Sequence, residues 1–472
     1  MKKYKVAIIG AGTAGLSARQ EVAKITDDYV VIDSGPLGTT CARVGCMPSK
    51  ALIQIANDYT LKKVYPLEGI IGADNLSPNY IDILKSVRKK RDRFVNSLLD
   101  DMSKWQNKLI NKQASFVDAH ILNLGDEKIY AEKIIIATGS KPLIPKDWEK
   151  YQKFFIDTND FFDLENFPNN LLVIGIGVIG LELGQALHNL DLDLTLAGPD
   201  TNIGGISDPQ IKNYIKNDLK NKLNVFYDRV NISGISKDGK LEVNLNNKIL
   251  NFDKALLAVG RIPNVDNLNL DKLEVDLNAK GIPSFNDSSF NLVHHEHIFI
   301  TGDVNAKRQL LHEAADQGRI AGYNAVREEL QCFKTRTLLS ITFTDPNIAL
   351  LGQTYKELTD KNIEFVIGEV SYEGQGRSII KNKEKGLLHI YISKDTGVIL
   401  GAELYAPEGE HLAHLLSWAV ASKMTIKEAL AMPFYHPVLE EGIRTALQDA
   451  YKKLNLKKNS LELFRCNDMP IR

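Results

Sequence analysis

Cys41 and Cys46 are separated by four residues in the run Thr39-Thr40-Cys41-Ala42-Arg43-Val44-Gly45-Cys46-Met47-Pro48-Ser49-Lys50. Thiols at this spacing can make a reversible disulfide. An ideal α-helix would hold residues i and i+5 roughly 8.6 Å apart at Cα and on different faces, whereas a disulfide needs Cα atoms within about 7 Å. Bonding the two cysteines therefore requires an irregular first turn, which Gly45 and Pro48 make easier by loosening the backbone and removing a donor. Such a bond would be strained and easily reduced. Two unpaired core cysteines are the alternative, since free Cys is among the most buried residue types.

The elements around this run are strands that end in glycine-rich turns. Lys5-Val6-Ala7-Ile8-Ile9 leads into Gly10-Ala11-Gly12-Thr13-Ala14-Gly15 and then a helix-like stretch, Leu16 to Ala23. In that setting the glycines allow a tight turn and close backbone approach to a pyrophosphate, which faces the helix N-terminus. Eighteen positions after Gly15 stands Asp33, at the end of the strand Tyr29-Val30-Val31-Ile32, where an acid can accept hydrogen bonds from ribose hydroxyls. The pattern recurs 165 positions later, with Leu171-Leu172-Val173-Ile174 preceding Gly175, Gly177 and Gly180, and Gly184 one turn on. Here the same count of eighteen lands on Gly198, with Asp200 two residues beyond and no Arg or Lys in Pro199-Asp200-Thr201-Asn202 to grip a 2′-phosphate. The expectation is NADH, with NADPH not excluded. Two nucleotide sites and a reactive disulfide describe an electron relay in which one dinucleotide exchanges hydride and the other carries a centre able to reduce sulfur, a role suited to a flavin.

With these motifs in order, the chain resembles the FAD-dependent pyridine nucleotide-disulfide oxidoreductases (class I), and within them the dihydrolipoamide dehydrogenases. The likeness runs on through Ala137-Thr138-Gly139-Ser140, Ala258-Val259-Gly260-Arg261-Ile262-Pro263-Asn264, Thr301-Gly302-Asp303, Phe343-Thr344-Asp345-Pro346 and Phe434-Tyr435-His436-Pro437-Val438-Leu439-Glu440-Glu441. The resemblance implies FAD at the first cradle, contacted by Gly10, Gly12, Gly15, Asp33, Thr40, Thr138, Gly139 and Asp303. It implies NAD at the second, with Gly175, Gly177, Gly180, Gly260 and Arg261. Thr-Gly-Asp by itself is a common turn. Lys50, one helical turn after Cys46, would reach the flavin ring and pair with Glu182, as a buried charge requires. Cys46 would be the thiol facing the flavin and Cys41 the one facing substrate. His436 would be the acid-base, oriented by Glu441 and reaching the disulfide of the partner subunit, so a homodimer is implied. Read without the family, His436 could simply break a helix with Pro437. The second His usual two residues before the catalytic one is replaced by Phe434, which the resemblance reads as an altered pocket wall.

The expected fold is α/β: two Rossmann-like dinucleotide-binding domains and a C-terminal α+β dimerisation domain. Residues 1–145 and 266–338 would form the FAD-binding domain, 146–265 the NAD domain and 339–472 the interface domain, where alternating Gly386 to Ile392 precedes a helix near Leu412 to Ala421. The 472 residues are 44% hydrophobic and 25% charged with a formal net charge of -1, which suggests neither a polyanion nor a membrane partner. Lys85, Arg88, Lys89, Lys90, Arg91 and Arg93 alternate with Ile81, Leu84, Val87, Phe94 and Leu98 at helical spacing and read as the wet face of an amphipathic helix. The start of the chain does not read as a signal peptide, and four cysteines in so long a chain favour the cytoplasm. His294, His295 and His297, or His411 and His414, lack a recognised ligand pattern, so no metal is expected. Cys332 and Cys466 read as bystanders. The resulting expectation is an enzyme passing two electrons between a dithiol and NAD, with dihydrolipoamide, free or on the lipoyl arm of a 2-oxoacid dehydrogenase complex, as the favoured dithiol. The rivals are a reductase of glutathione-like disulfides and a flavin-binding scaffold without chemistry.

Overall fold

Val6, Ala7, Ile8 and Ile9 are all buried, the signature of a strand covered on both faces. In the computed structural model, which describes residues 1–454 and 461–464, this strand (Lys2–Ile9) runs parallel to Tyr29–Ile32 on one side and Lys128–Ile136 on the other. The sheet continues outward to Leu109–Ile110 at one edge and through the antiparallel pair Ile121–Asn123 and Ser115–Phe116 at the other. Much later the chain returns, and Ile298–Ile300 pairs in parallel with the last three residues of Lys128–Ile136.

A second parallel sheet repeats the plan, in the order Val225–Phe226, Leu194–Ala197, Leu171–Ile174, Lys254–Leu257 and Phe155–Ile156. It carries its own antiparallel meander, Asn231–Ile235, Leu241–Leu245 and Lys248–Phe252. Where the chain crosses between the two units, Ser140–Pro142 and Arg261–Pro263 form a two-stranded ribbon.

The last sheet is wholly antiparallel, in the order Leu339–Thr342, Asn347–Gly352, Ile399–Ala406, Leu387–Ser393 and Phe365–Ser371. Helices Gly409–Ala421 and Glu441–Lys453 pack against it. The architecture is thus the expected α/β one, two dinucleotide-type units followed by an α+β unit. The alternating segment Gly386 to Ile392 forms the strand Leu387–Ser393, which is buried throughout. The second nucleotide unit covers the other face. His389, at a polar position of that strand, bonds Asp208 Oδ2 through Nδ1 at 2.7 Å and Glu369 Oε2 through Nε2 at 3.1 Å.

The same junction buries Glu403 completely. Its carboxylate accepts hydrogen bonds from the backbone N–H groups of Ser207, Asp208 and Tyr355 at 2.7, 2.9 and 2.9 Å, and from the Ser207 hydroxyl. Asp208 in turn caps helix Pro209–Lys222. The charged helix Tyr80–Ser103 also differs from its sequence reading. Arg88 donates to the carbonyls of Phe162 and Leu164 and Arg91 pairs with Asp163 at 2.5 Å, so two of the six cations dock on the second unit. Ile81 and Phe94, placed on the apolar face by spacing, are exposed, whereas Leu84, Val87 and Met102 are buried and Ile83 and Leu99 pack against neighbouring core clusters. No helix among the described residues is long and apolar enough to cross a membrane.

Replacing Glu403 by Ala strands buried donors from two units at once and is expected to lower unfolding stability by about 3–5 kcal/mol. Chemical denaturation should show an intermediate loss for Glu403→Gln, which keeps one acceptor oxygen but turns its NH2 toward the donors of the other.

Candidate active site

The residues around the two cysteines do not form one continuous helix. Helix Thr40–Val44 stops, Gly45 takes φ −120° and ψ −118°, and helix Cys46–Thr60 begins anew. A Cβ on Gly45 would lie 3.1 Å from Thr40 O and 3.2 Å from the Cys41 Cα, so the break packs Gly45 closely against the Cys41 turn and disfavours a side chain there. Thr39, at φ 61°, caps the first turn by accepting from Ala42 N. The structure holds both cysteines as thiols, and Cys41 donates a hydrogen bond to Cys46. That bond, helped by the Lys50 charge and opposed by burial, pulls Cys46 down to about 7. The same bond, together with burial, pushes Cys41 far up. The pair is thus polarised, with the thiolate on Cys46.

Lys50 follows on the same helix face and pairs with Glu182 Oε2 at 2.7 Å. Glu182, almost fully buried, comes from helix Val178–Asn189 of the second unit and also accepts from Phe343 N at 2.9 Å. These two helices run side by side and are tied again further along, where Tyr59 and Lys62 both reach Asp191 Oδ2 at 2.7 Å. Cys41, Cys46, Lys50, Glu182 and Asp303 open into one cavity of about 500 Å³.

Both glycine turns have the geometry of a phosphate cradle. Gly10, at φ +111°, lies so close to the next strand that a Cβ would fall 2.3 Å from Ala137 O, and one on Gly15 would fall 1.8 Å from Gly10 O. The second turn repeats both contacts, 2.2 Å from Gly175 to Ala258 O and 1.8 Å from Gly180 to Gly175 O. A side chain on Gly12 or Gly177 would instead enter open space. Helices Thr13–Val22 and Val178–Asn189 begin at these glycines with no side-chain cap, leaving their first N–H groups for a ligand.

A cavity of about 420 Å³ lies over the first cradle and is lined by Gly10, Gly12, Asp33, Thr40, Thr138 and Gly139. Asp33 Oδ2 accepts from Ala11 N at 2.5 Å and Oδ1 from Gly35 N at 2.7 Å. Asp303 accepts from the Ser140 hydroxyl at 2.8 Å, and Ser140 receives Arg261 Nε at 2.8 Å. Burial lowers the Arg261 guanidinium from its ordinary value although Asp303 opposes this. The Thr138 hydroxyl donates to Asn264 O at 2.8 Å, so the Gly139 and Gly260 segments are laced together. Thr301 Oγ1 is buried beside the larger cavity with no hydrogen-bond partner. This orphaned hydroxyl, the open face of Gly12 and the uncapped helix fit a large phosphate-bearing cofactor.

At the second cradle a Cβ on Gly198 would lie 3.1 Å from Ile176 N, so an acid there would crowd the glycine turn. Asp200 pairs with Lys216 at 2.5 Å, and this hydrogen bond holds its carboxyl below the usual range. Lys216 comes from helix Pro209–Lys222, beyond the reach of the local motif.

His436 does not join its own chain's cysteines. It is 81% exposed in its side chain and lies outside the cavity that holds Cys41 and Cys46. Its Nδ1–H donates to Glu441 Oε1 at 3.0 Å, while Glu441 Oε2 accepts from Val438 N at 3.1 Å. The hydrogen bond from His436 lowers the Glu441 carboxyl. Phe434 packs against the interface-domain core, and it is Tyr435 that stands exposed beside His436.

Residues 4–318 match the pyridine nucleotide-disulphide oxidoreductases, and residues 339–447 match the dimerisation domain of the same group. The chain belongs to this family. It is an FAD-dependent disulfide oxidoreductase, and the family binds FAD and a pyridine nucleotide. Among curated relatives, a mercuric reductase from Lysinibacillus sphaericus is 27% identical over 94% of this chain and 82% of that protein. A dihydrolipoyl dehydrogenase from Geobacillus stearothermophilus is 29% identical over 92% and 93%. Among solved structures, the Cu(II) complex of the HOCl-induced flavoprotein disulfide reductase RclA from Escherichia coli shares the fold. Its TM-score is 0.81 at 20% identity, covering 96% of this chain and 100% of that one.

Several residues of this disulfide oxidoreductase site are not singled out by its motifs. Ser140 links Arg261 to Asp303, and Phe343 and Gln185 join the interface unit to the helix that carries Glu182. Ser140 and Phe343 do stand inside the family motifs, but only tertiary contact shows what they touch. Among the described residues no three His, Cys, Asp or Glu side chains converge on a metal position. His120, His295 and His297 each commit a ring nitrogen to a backbone carbonyl. Cys332 is exposed, and Cys466 lies outside the described residues.

Removing the Cys41 donor takes away the largest influence lowering Cys46. In Cys41→Ala the Cys46 thiol is expected to titrate more than one pH unit above 7, near the free-thiol value of about 8.5. Alkylation rate against pH measures this directly.

Proposed function

We propose that the protein is a homodimeric dihydrolipoamide:NAD oxidoreductase acting through Cys41 and Cys46. The observation that carries this reading is the cysteine pair flanking the Gly45 break, beside the Lys50–Glu182 ion pair, in a cavity lined by both Gly12 of the first cradle and Val178 at the start of the second helix. The dimerisation domain supports the homodimer, and the exposure of His436, held by Glu441 and away from its own chain's cysteines, supports a role across the dimer.

A substrate thiolate bonds to Cys41 Sγ, breaking the Cys41–Cys46 bond and releasing Cys46 as a thiolate beside Lys50. His436 of the partner subunit takes the proton of the second substrate thiol. That sulfur then attacks the first, expelling Cys41 and closing the cyclic disulfide. The two electrons now reside on the cysteine pair, and FAD, when bound, supplies their relay to NAD. Glu441 stabilises the imidazolium in the interval, the logic of a base held by a third group.

For nucleotide choice, Asp200 is the acceptor we assign to the ribose diol. Lys216 fixes one of its oxygens and leaves lone pairs on the carboxylate. The dithiol choice rests on charge. Anionic glutathione-like disulfides would want several cations at the entrance, and neither Arg43, which donates to Pro36 O, nor Arg377 lines the cavity that holds the cysteines. A soft metal ion would want a further vicinal pair of thiols, and the sequence offers only the single Cys332 and Cys466 besides Cys41 and Cys46. The reducing cytosol is the proposed setting, where a disulfide persists only for chemistry.

An anaerobic panel of lipoamide, glutathione disulfide, Hg(II) and Cu(II), each with NADH and NADPH, tests the assignment. Lipoamide with NADH is expected to turn over at least about tenfold faster than any other pair, and faster glutathione disulfide or metal reduction would reject it. His436→Gln is expected to lower steady-state kcat by about 10²–10⁴. Reduction of the enzyme by NADH, followed by stopped flow, should be unchanged.

A further inference from the structure

The motifs point to Lys50 and Glu182, and the structure adds a third member. The Phe343 ring lies 4.8 Å from the Lys50 ammonium, centroid to Nζ. The same residue's backbone N–H binds Glu182 Oε1, the carboxylate oxygen that Lys50 leaves free. Phe343 therefore grips both halves of the ion pair, one through its ring and one through its backbone. Three parts of the chain meet at one cation: Lys50 from the redox helix, Glu182 from the second nucleotide unit and Phe343 from the end of an interface-sheet strand.

We propose that Phe343 is a positioning residue of the redox centre, whose ring holds the Lys50 ammonium against Glu182 and so keeps the cation beside the Cys46 sulfur during turnover. This rests on the function proposed above. A lysine ammonium on a four-carbon stem has many rotamers, and the Lys50 side chain is 35% exposed, so one hydrogen bond leaves it free to turn outward. An aromatic face adds attraction from a second direction, stronger where water is excluded. The ring itself is anchored. Two residues on, Asp345 N donates to Gln185 Oε1 at 2.6 Å and Gln185 Nε2 returns a bond to Asp345 O at 3.1 Å, which fixes the segment to the Glu182 helix.

The consequence for sulfur is electrostatic. Lys50 favours the Cys46 thiolate and Glu182 disfavours it, so the outcome depends on the ammonium staying nearer than the carboxylate. The other titratable or charged groups facing this cavity are Cys41, Arg261, Asp303, His312 and His414.

The experiment uses the FAD-loaded enzyme reduced by two electrons and follows its long-wavelength thiolate-to-flavin band against pH. Phe343→Leu keeps an apolar filling and loses the ring, whereas Phe343→Tyr keeps the ring. The Leu variant is expected to raise the midpoint of the band by about half a pH unit or more, and the Tyr variant to stay with wild type. A Leu midpoint equal to wild type, or equal shifts in Leu and Tyr, overturns the role of the ring. Should the Leu variant fail to retain FAD, Phe343→Met takes its place, with the same shift expected and the same null result overturning the role. A wild-type enzyme with no such band would sink the functional reading itself, a result distinct from a band that ignores position 343.

Discussion

A carboxylate almost fully removed from water has to be neutralised where it stands, and in this chain Glu182 is that carboxylate. Its partner Lys50 sits one turn after a cysteine, so the requirement for charge balance fixes a nucleotide-type unit, a redox helix and an interface strand around a single point. Cys46 lies within reach of the same cation and takes the thiolate character of the pair. Packing, charge and sulfur chemistry are thus one arrangement here. A change that loosened the ion pair would be felt both at the domain junction and at the sulfur.

The duplicated cradle has a different origin. In both copies the first glycine meets a carbonyl of a neighbouring strand, Ala137 O or Ala258 O, and the third glycine meets the carbonyl of the first. No side chain fits at either place, so the contact is purely one of backbone with backbone. A Cβ on the middle glycine would meet no atom within 4 Å. That glycine is needed for what lies outside the chain rather than inside it, which is why the turn can be recognised from spacing alone while its ligand cannot.

That contrast explains what was legible in the sequence. The strand-turn-helix units, Asp33, the cysteine spacing and the Lys50–Glu182 pair rest on local rules or on the motif order of a known family, and both could be read from residue types. The interior polarity of Leu387–Ser393 could not. Nothing near His389 in the sequence names its partner Asp208, which lies 181 positions earlier. Arg88 and Arg91 read as solvated charges until the Phe162–Leu164 segment supplies carbonyls and a carboxylate. Lys216 escapes a search for cations near Gly198 because it arrives from a following helix rather than the adjoining loop. In each instance the missing information is the identity of a distant neighbour.

The redox helix and the Glu182 helix are joined at two places, Lys50 with Glu182 and Tyr59 with Asp191, and the partners in both pairs are separated by the same 132 positions. Two tethers in one register hold the helices parallel and forbid a slip of one turn. Anyone grafting a foreign nucleotide-binding module into this scaffold would therefore have to transplant both acids at their nine-residue interval. A chimera matched only at the glycine loop would dock with its catalytic helix out of alignment.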